Sequence, residues 1–135
     1  MMRLTFFCLT MSQLSRQTST MILYLTKDLM LASNVRSVAS SANIDLTIVP
    51  TAEKLTEQVN SCDGLDKVLV DLQTPGLAPE ALPQIVAACQ PNSVPVVGYA
   101  QHVYVDLIEA AKSAGFSAVY TRGQMNGNVA AILGQ

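Results

Sequence analysis

Lys67-Val68-Leu69-Val70-Asp71-Leu72-Gln73-Thr74-Pro75-Gly76 (residues 67–76) is the stretch on which the fold turns. Val68 to Val70 form an unbroken apolar run, closed by an acid and followed by turn residues. A short run that is apolar throughout, with no alternation, suits a strand covered on both faces, and such strands belong to parallel sheets. The pattern recurs on either side. Asp45-Leu46-Thr47-Ile48-Val49 (45–49) precedes it and Pro95-Val96-Val97-Gly98-Tyr99 (95–99) follows it. Met21-Ile22-Leu23-Tyr24-Leu25 (21–25) and Ser117-Ala118-Val119-Tyr120-Thr121 (117–121) complete a series of five strands.

Helix-length stretches separate them. Residues 29–41 place Leu31, Val35 and Val38 at helical spacing. Thr51 is a candidate N-cap for the next helix, with Glu53 near its positive end and Leu55 and Val59 on one face. Residues 79–89 carry Leu82, Ile85, Val86 and Cys89, and Pro83 is tolerable only in the first turn. Residues 104–114 carry Leu107, Ile108 and Ala111 and stop at Gly115, a left-handed terminator. The last helix, over about 124–133, is the weakest because Asn126, Gly127 and Asn128 all oppose it. Alternation at this spacing predicts right-handed βαβ units, hence an α/β fold. The expected architecture is three-layered, a doubly wound five-stranded parallel sheet of order 2-1-3-4-5. Its working crevice is expected at the carboxyl ends of the strands, beside Thr26, Lys27 and Asp28, Asp71 to Gly76, Ala100 to His102, and Arg122.

With 135 residues, half of them apolar and 13% charged, the chain has material for one domain and its core, unlike a disordered segment. Net charge is -2 and the eight Lys and Arg are scattered, which argues against nucleic acid or an anionic membrane as partner. Three Phe and four Tyr without Trp make a base-stacking platform improbable. Apolar runs fall far short of the roughly 20 residues of a membrane-spanning helix, and a cytoplasmic location is expected. Cys8, Cys62 and Cys89 are odd in number and lack C-x-x-C spacing, and His102 is the single histidine. That is no disulfide framework or zinc site, and reduced thiols are expected. His102, with no acid or nucleophile beside it in sequence, reads as a surface residue.

Residues 1–20 stand apart, with one early Arg, an apolar stretch from Leu4 to Met11 and a Ser/Thr/Gln run. No clean signal-peptidase site follows, so they read as a leader or extension from a mis-assigned start, with the domain spanning 21–135. Thr26-Lys27-Asp28-Leu29-Met30 has no Gly, and the chain holds neither G-x-G-x-x-G nor a P-loop, which disfavours flavin or nucleotide. No G-x-S-x-G elbow supports a hydrolase, and no enzymatic activity is expected.

Val68 to Gly76 resembles the segment around the phospho-accepting aspartate of response-regulator receiver domains, a CheY-like family of flavodoxin-like fold. The resemblance runs across about residues 21–133 and includes Pro95-Val96-Val97 and the Ala114-Gly115 step before strand five. It implies a place in two-component signal transduction. Position by position, it makes Asp71 the phospho-acceptor. The two acids that hold Mg²⁺ correspond to Thr26 and Lys27; Asp28, one step later, is equally placed to cap the first helix. The hydroxyl ending strand four corresponds to Ala100, and the aromatic switch residue to Val119, with Tyr120 on the opposite face. The lysine after strand five corresponds to Arg122, and the proline after it to Gly123.

Phosphoryl transfer to a carboxylate brings anions together, and a divalent cation makes it feasible by neutralising charge. Lys27 puts positive charge where that ion would sit. It is expected to pair with Asp71, so that Lys27 and Arg122 imitate a neutralised crevice without metal. Mg²⁺ is therefore not expected, and Asp28 and Asp71 would ligate it only if binding were retained. With Ala100 and Val119 lacking the switch groups, the sequence suggests a stand-alone pseudo-receiver. It would act by protein association or self-association through the face of helix four, strand five and helix five. Two alternatives stay open. One is a phosphorelay receiver with Asp71 as acceptor and Asp28 rescuing the metal. The other is a flavodoxin-like domain that binds a small anion through Lys27 and Arg122.

Overall fold

The computed structural model describes residues 20–62 and 64–134; apart from Thr20, the leader expected over 1–20 lies outside the described residues, as does Cys8. Along the chain come β1 (Thr20–Leu25), α1 (Leu29–Ser41), β2 (Ile44–Val49), α2 (Ala52–Ser61), β3 (Lys67–Asp71) and α3 (Ala81–Cys89). A 3-10 turn (Gln90–Asn92) follows, then β4 (Val96–Ala100), α4 (Val105–Ala114), β5 (Ala118–Thr121), α5 (Arg122–Gly127) and α6 (Val129–Gly134). The strands pair in parallel in the order β2-β1-β3-β4-β5, as expected.

Alternation along the strands divides the core into two layers. Ile22 and Tyr24 of β1, Leu69 of β3 and Val97 and Tyr99 of β4 pack under α1, α5 and α6, against Leu31, Val35, Met125 and Ile132. Leu23, Leu25, Val68, Val70 and Val96 point the other way, against Leu55 and Val59 of α2, Leu82 and Ile85 of α3 and Ala111 of α4. All five residues of β3 and of β4 are buried, which is why their sequences do not alternate between apolar and polar.

Helix ends follow local chemistry. Thr51 accepts a hydrogen bond from the Lys54 N–H at 3.2 Å, and Gly115 ends α4 at φ 107°. α3 begins at Ala81 rather than 79, which leaves Pro83 in its first turn, where a missing N–H goes unnoticed. The expected last helix is two. Thr121 and Gln124 form a capping box that starts α5 at Arg122, and Asn128 breaks it at φ -136° and ψ 32° before α6. Lys67 is buried at the start of β3 and its Nζ donates to the Ile132 carbonyl, tying short α6 to the sheet. A cation suits the carbonyl-rich end of a helix, although burial pushes the Lys67 pKa down.

Gly98 marks a close approach in central β4. A Cβ there would stand 2.8 Å from Phe116 Cε2 and 3.4 Å from Leu72 Cδ2. Gly98→Ala should therefore destabilise by about 1–3 kcal/mol through overpacking, read as a lower urea midpoint at unchanged m-value. Phe116→Leu should be less damaging in that background than alone; additive effects would contradict the contact.

Candidate functional site

Parallel strands bring the residues after β1, β3, β4 and β5 to one end of the sheet. Asp71, the last residue of β3, is 3% exposed there. Its Oδ2 accepts from Thr26 Oγ1 at 2.9 Å and its Oδ1 from the Gln73 N–H at 3.0 Å. Its backbone carbonyl accepts from Thr74 Oγ1 at 2.6 Å. Thr26 Oγ1 in turn accepts from the Asp28 N–H at 3.0 Å. Burial drives the Asp71 pKa up, and the bonds from Thr26 and Gln73 and the charge of Arg122 oppose that rise. Beneath the acid, Tyr24 and Tyr99 meet hydroxyl to hydroxyl. Burial pushes Tyr24 up to about 12 and raises Tyr99 as well, so both stay protonated donors.

Asp28 is the N-cap of α1. Its Oδ1 accepts from the N–H groups of Met30 at 3.1 Å and Leu31 at 3.3 Å. Its Oδ2 forms an ion pair with Arg122, the first residue of α5. The Arg122 bond is the main reason the Asp28 pKa is lowered, and Asp28 raises that of Arg122. Across the crevice, Gln73 Oε1 accepts from the Gln101 N–H at 2.7 Å and bridges the loops after β3 and β4.

The expected pairing of Lys27 with Asp71 is not found. Ion pairs among the described residues are Arg122–Asp28 and Lys112–Glu109. The reason lies in alternation: Tyr24 and Thr26 point to the α1 layer, so Lys27, one residue on, turns away and lies exposed. Arg122 does reach the crevice, but its partner is Asp28, so the two cations do not flank Asp71 as expected. Ala100 is fully buried in the α2–α4 layer, and half-buried Val119 packs on that same layer. Tyr120 packs with the opposite layer, as its position one residue later requires. His102 is exposed.

Thr26 as ligand to Asp71, Gln73 as its second donor and the Asp28–Arg122 pair are the features that sequence reasoning missed. Thr26 could have been found from strand parity, since it continues the inward series of Ile22 and Tyr24. The capping box of Thr121 and Gln124 was equally visible, and it makes Arg122 the first residue of α5.

No protein-family model matches the chain, and no curated protein matches it. Solved structures do. A CheY-like response regulator receiver domain protein from Methanospirillum hungatei JF-1 superposes with a TM-score of 0.70 at 12% identity, covering 87% of this chain and 95% of that one. A response regulator described as putative from Chloroflexus aurantiacus J-10-fl gives 0.70 at 15% identity, covering 87% and 100%. The receiver domain of Ssk1 from Saccharomyces cerevisiae, in complex with the histidine phosphotransfer protein Ypd1, gives 0.65 at 17%, covering 77% and 79%. The chain has the receiver-domain fold.

The divalent cation that this fold implies does not suit the residues present. A hard cation needs several oxygen ligands, carboxylates above all. Of the two candidate acids, Asp28 is committed to Arg122 and to the α1 cap, and both Asp71 oxygens accept internal bonds. No cluster of three or more His, Cys, Asp or Glu able to hold a metal occurs among the described residues.

An acid whose folded pKa is raised holds its proton longer in the folded than in the unfolded state, so stability falls as pH rises from the ordinary carboxylate value through the raised one. Asp71→Asn keeps an oxygen acceptor for the Gln73 N–H and lets its Nδ2 donate to the Thr26 hydroxyl, without the buried charge. It should match the wild type in acid and exceed it in melting temperature at neutral pH, the gap opening over that window. A variant less stable than wild type at neutral pH would contradict this.

Proposed function

We propose that this chain is a receiver-type signalling module that works by binding a protein partner, without phosphorylation of Asp71 and without catalysis of its own. The observation that carries it is the closure of the crevice: both oxygens of Asp71 accept internal bonds, and Arg122 is held by Asp28. An incoming phosphoryl group would meet a buried acid whose neighbouring carboxylate, Asp28, and neighbouring cation, Arg122, are committed to each other. At the end of β4, Ala100 lacks the hydroxyl, and within β5, Val119 lacks the aromatic ring that would report such a charge. The role in two-component signalling is taken from the fold and from Asp71 standing at the acceptor position.

The face of α4, β5 and α5 is the proposed contact surface. Its entrance, at the start of α4, carries Val103, Tyr104 and Val105, which are 66%, 47% and 59% exposed. Apolar side chains presented together in this way favour association over solvation. In the solved complex of Ypd1 with Ssk1, a receiver domain has a protein as its partner, which is the kind of role proposed for this chain.

Intact mass after incubation with acetyl phosphate and Mg²⁺, with Asp71→Asn as control, tests the first half. No added phosphoryl group is expected; a gain abolished in the control would return the chain to the phospho-accepting class. For the second half, Tyr104→Glu with Val105→Glu should abolish co-purification with the partner or with a second copy, while Asp71→Asn leaves it intact. Association that survives the charged face would place the contact elsewhere.

A further inference from the structure

A cavity of about 560 Å³ lies between α2 and the β3–α3 loop, on the opposite side of the sheet from the Asp28–Arg122 pair. Its size is that of a small-ligand site. The walls carry charges of both signs that do not meet: Lys27 from the β1–α1 loop, and Glu53 and Glu57 from α2. None of the three takes part in an ion pair among the described residues. Glu53 and Glu57 are spaced i and i+4 on one helix face, where like charges repel by a few tenths of a kcal/mol. Thr51, Thr74 and Gln84 add neutral hydrogen-bonding groups, and Ile85 an apolar floor.

Direction along the cavity is set by topology. Lys27 and Thr51 follow the carboxyl ends of β1 and β2, while α2 runs back towards the amino end of the sheet. Glu57 therefore lies about 9 Å along the helix from Thr51 at the rise of an α-helix. Lys27 and Glu53 stand near the Thr51 end and Glu57 further along, a frame for an elongated molecule with a carboxylate and an ammonium at one end and a second ammonium at the other.

We propose that this cavity binds a small elongated zwitterion of the basic amino-acid type, its carboxylate at Lys27, its α-ammonium towards Glu53 and its distal ammonium at Glu57. The two unmatched signs in one cavity distinguish this from the small-anion reading, which would need Lys27 and Arg122 together; Arg122 is held by Asp28 in the crevice. Lys27, the residue turned away from Asp71, acquires a partner in this way. Binding here does not depend on whether Asp71 is phosphorylated.

The test is an amide NMR titration of the full chain with L-lysine, against L-norleucine, which lacks the distal ammonium, and cadaverine, which lacks the carboxylate. L-Lysine should give saturable shifts confined to residues 26–28, 51–57 and 74–78, with affinity in the millimolar range, near -4 kcal/mol. Lys27→Ala and Glu57→Gln, both at exposed positions, should keep a folded spectrum and each weaken binding by about fivefold, the upper end for one solvent-accessible ion pair. Absence of saturation to about 20 mM would overturn the proposal. So would equal binding of the three probes, shifts centred elsewhere, or affinity untouched by either substitution.

Discussion

The Asp28 carboxylate is shared between two tasks, and the crevice depends on that sharing. One oxygen caps α1 through the Met30 and Leu31 N–H groups and the other holds Arg122 at the head of α5. The first and fifth strand–helix junctions are thereby joined over the end of the sheet. Helix N-termini favour an anion, so Asp28 is stabilised as a carboxylate from both sides. Its main cost is that neither Asp28 nor Arg122 is left to deal with a charge at Asp71.

Asp71 is then a buried acid whose hydrogen-bond partners are all neutral. Thr26 and Gln73 satisfy its oxygens with an O–H and an N–H, and the paired tyrosine hydroxyls below complete a polar layer between β1 and β4. Burial without a bonded cation favours the neutral acid, and the direction of its pKa follows. The difference from a charge-neutralised crevice is physical. A salt-bridged acid would be held ionised, whereas this one resists ionisation and gains little from an approaching phosphate.

Much of the fold was legible because its determinants are local. The all-apolar runs of β3 and β4 announced burial on both faces, Thr51 announced a cap, and Gly115 a stop. The weak segment at Asn126-Gly127-Asn128 did break the last helix. The site was less legible because it depends on which way neighbouring side chains point at the ends of strands. Adjacent residues take opposite faces there, so Thr26 reaches Asp71 and Lys27 does not. The partner of Arg122 was beyond sequence, since 94 residues separate it from Asp28 and several acids of similar merit compete.

A two-state switch needs two arrangements of comparable free energy. Around Asp71 the polar groups are already matched: Thr26 with Asp71 and the Asp28 N–H, Gln73 with Asp71 and Gln101, and Arg122 with Asp28. Thr26 and Asp71 are buried, so moving either strands a donor or acceptor away from water at about 1–3 kcal/mol, while the Gln73–Gln101 and Asp28–Arg122 contacts lie at the more exposed rim. Ala100 and Val119 offer no hydroxyl or aromatic edge to recover that loss in a second state. The carboxyl end of the sheet is therefore a single well-satisfied arrangement. The groups left able to choose a partner lie outside it, on the α2 side where Lys27 faces Glu53 and Glu57 and on the apolar entrance to α4.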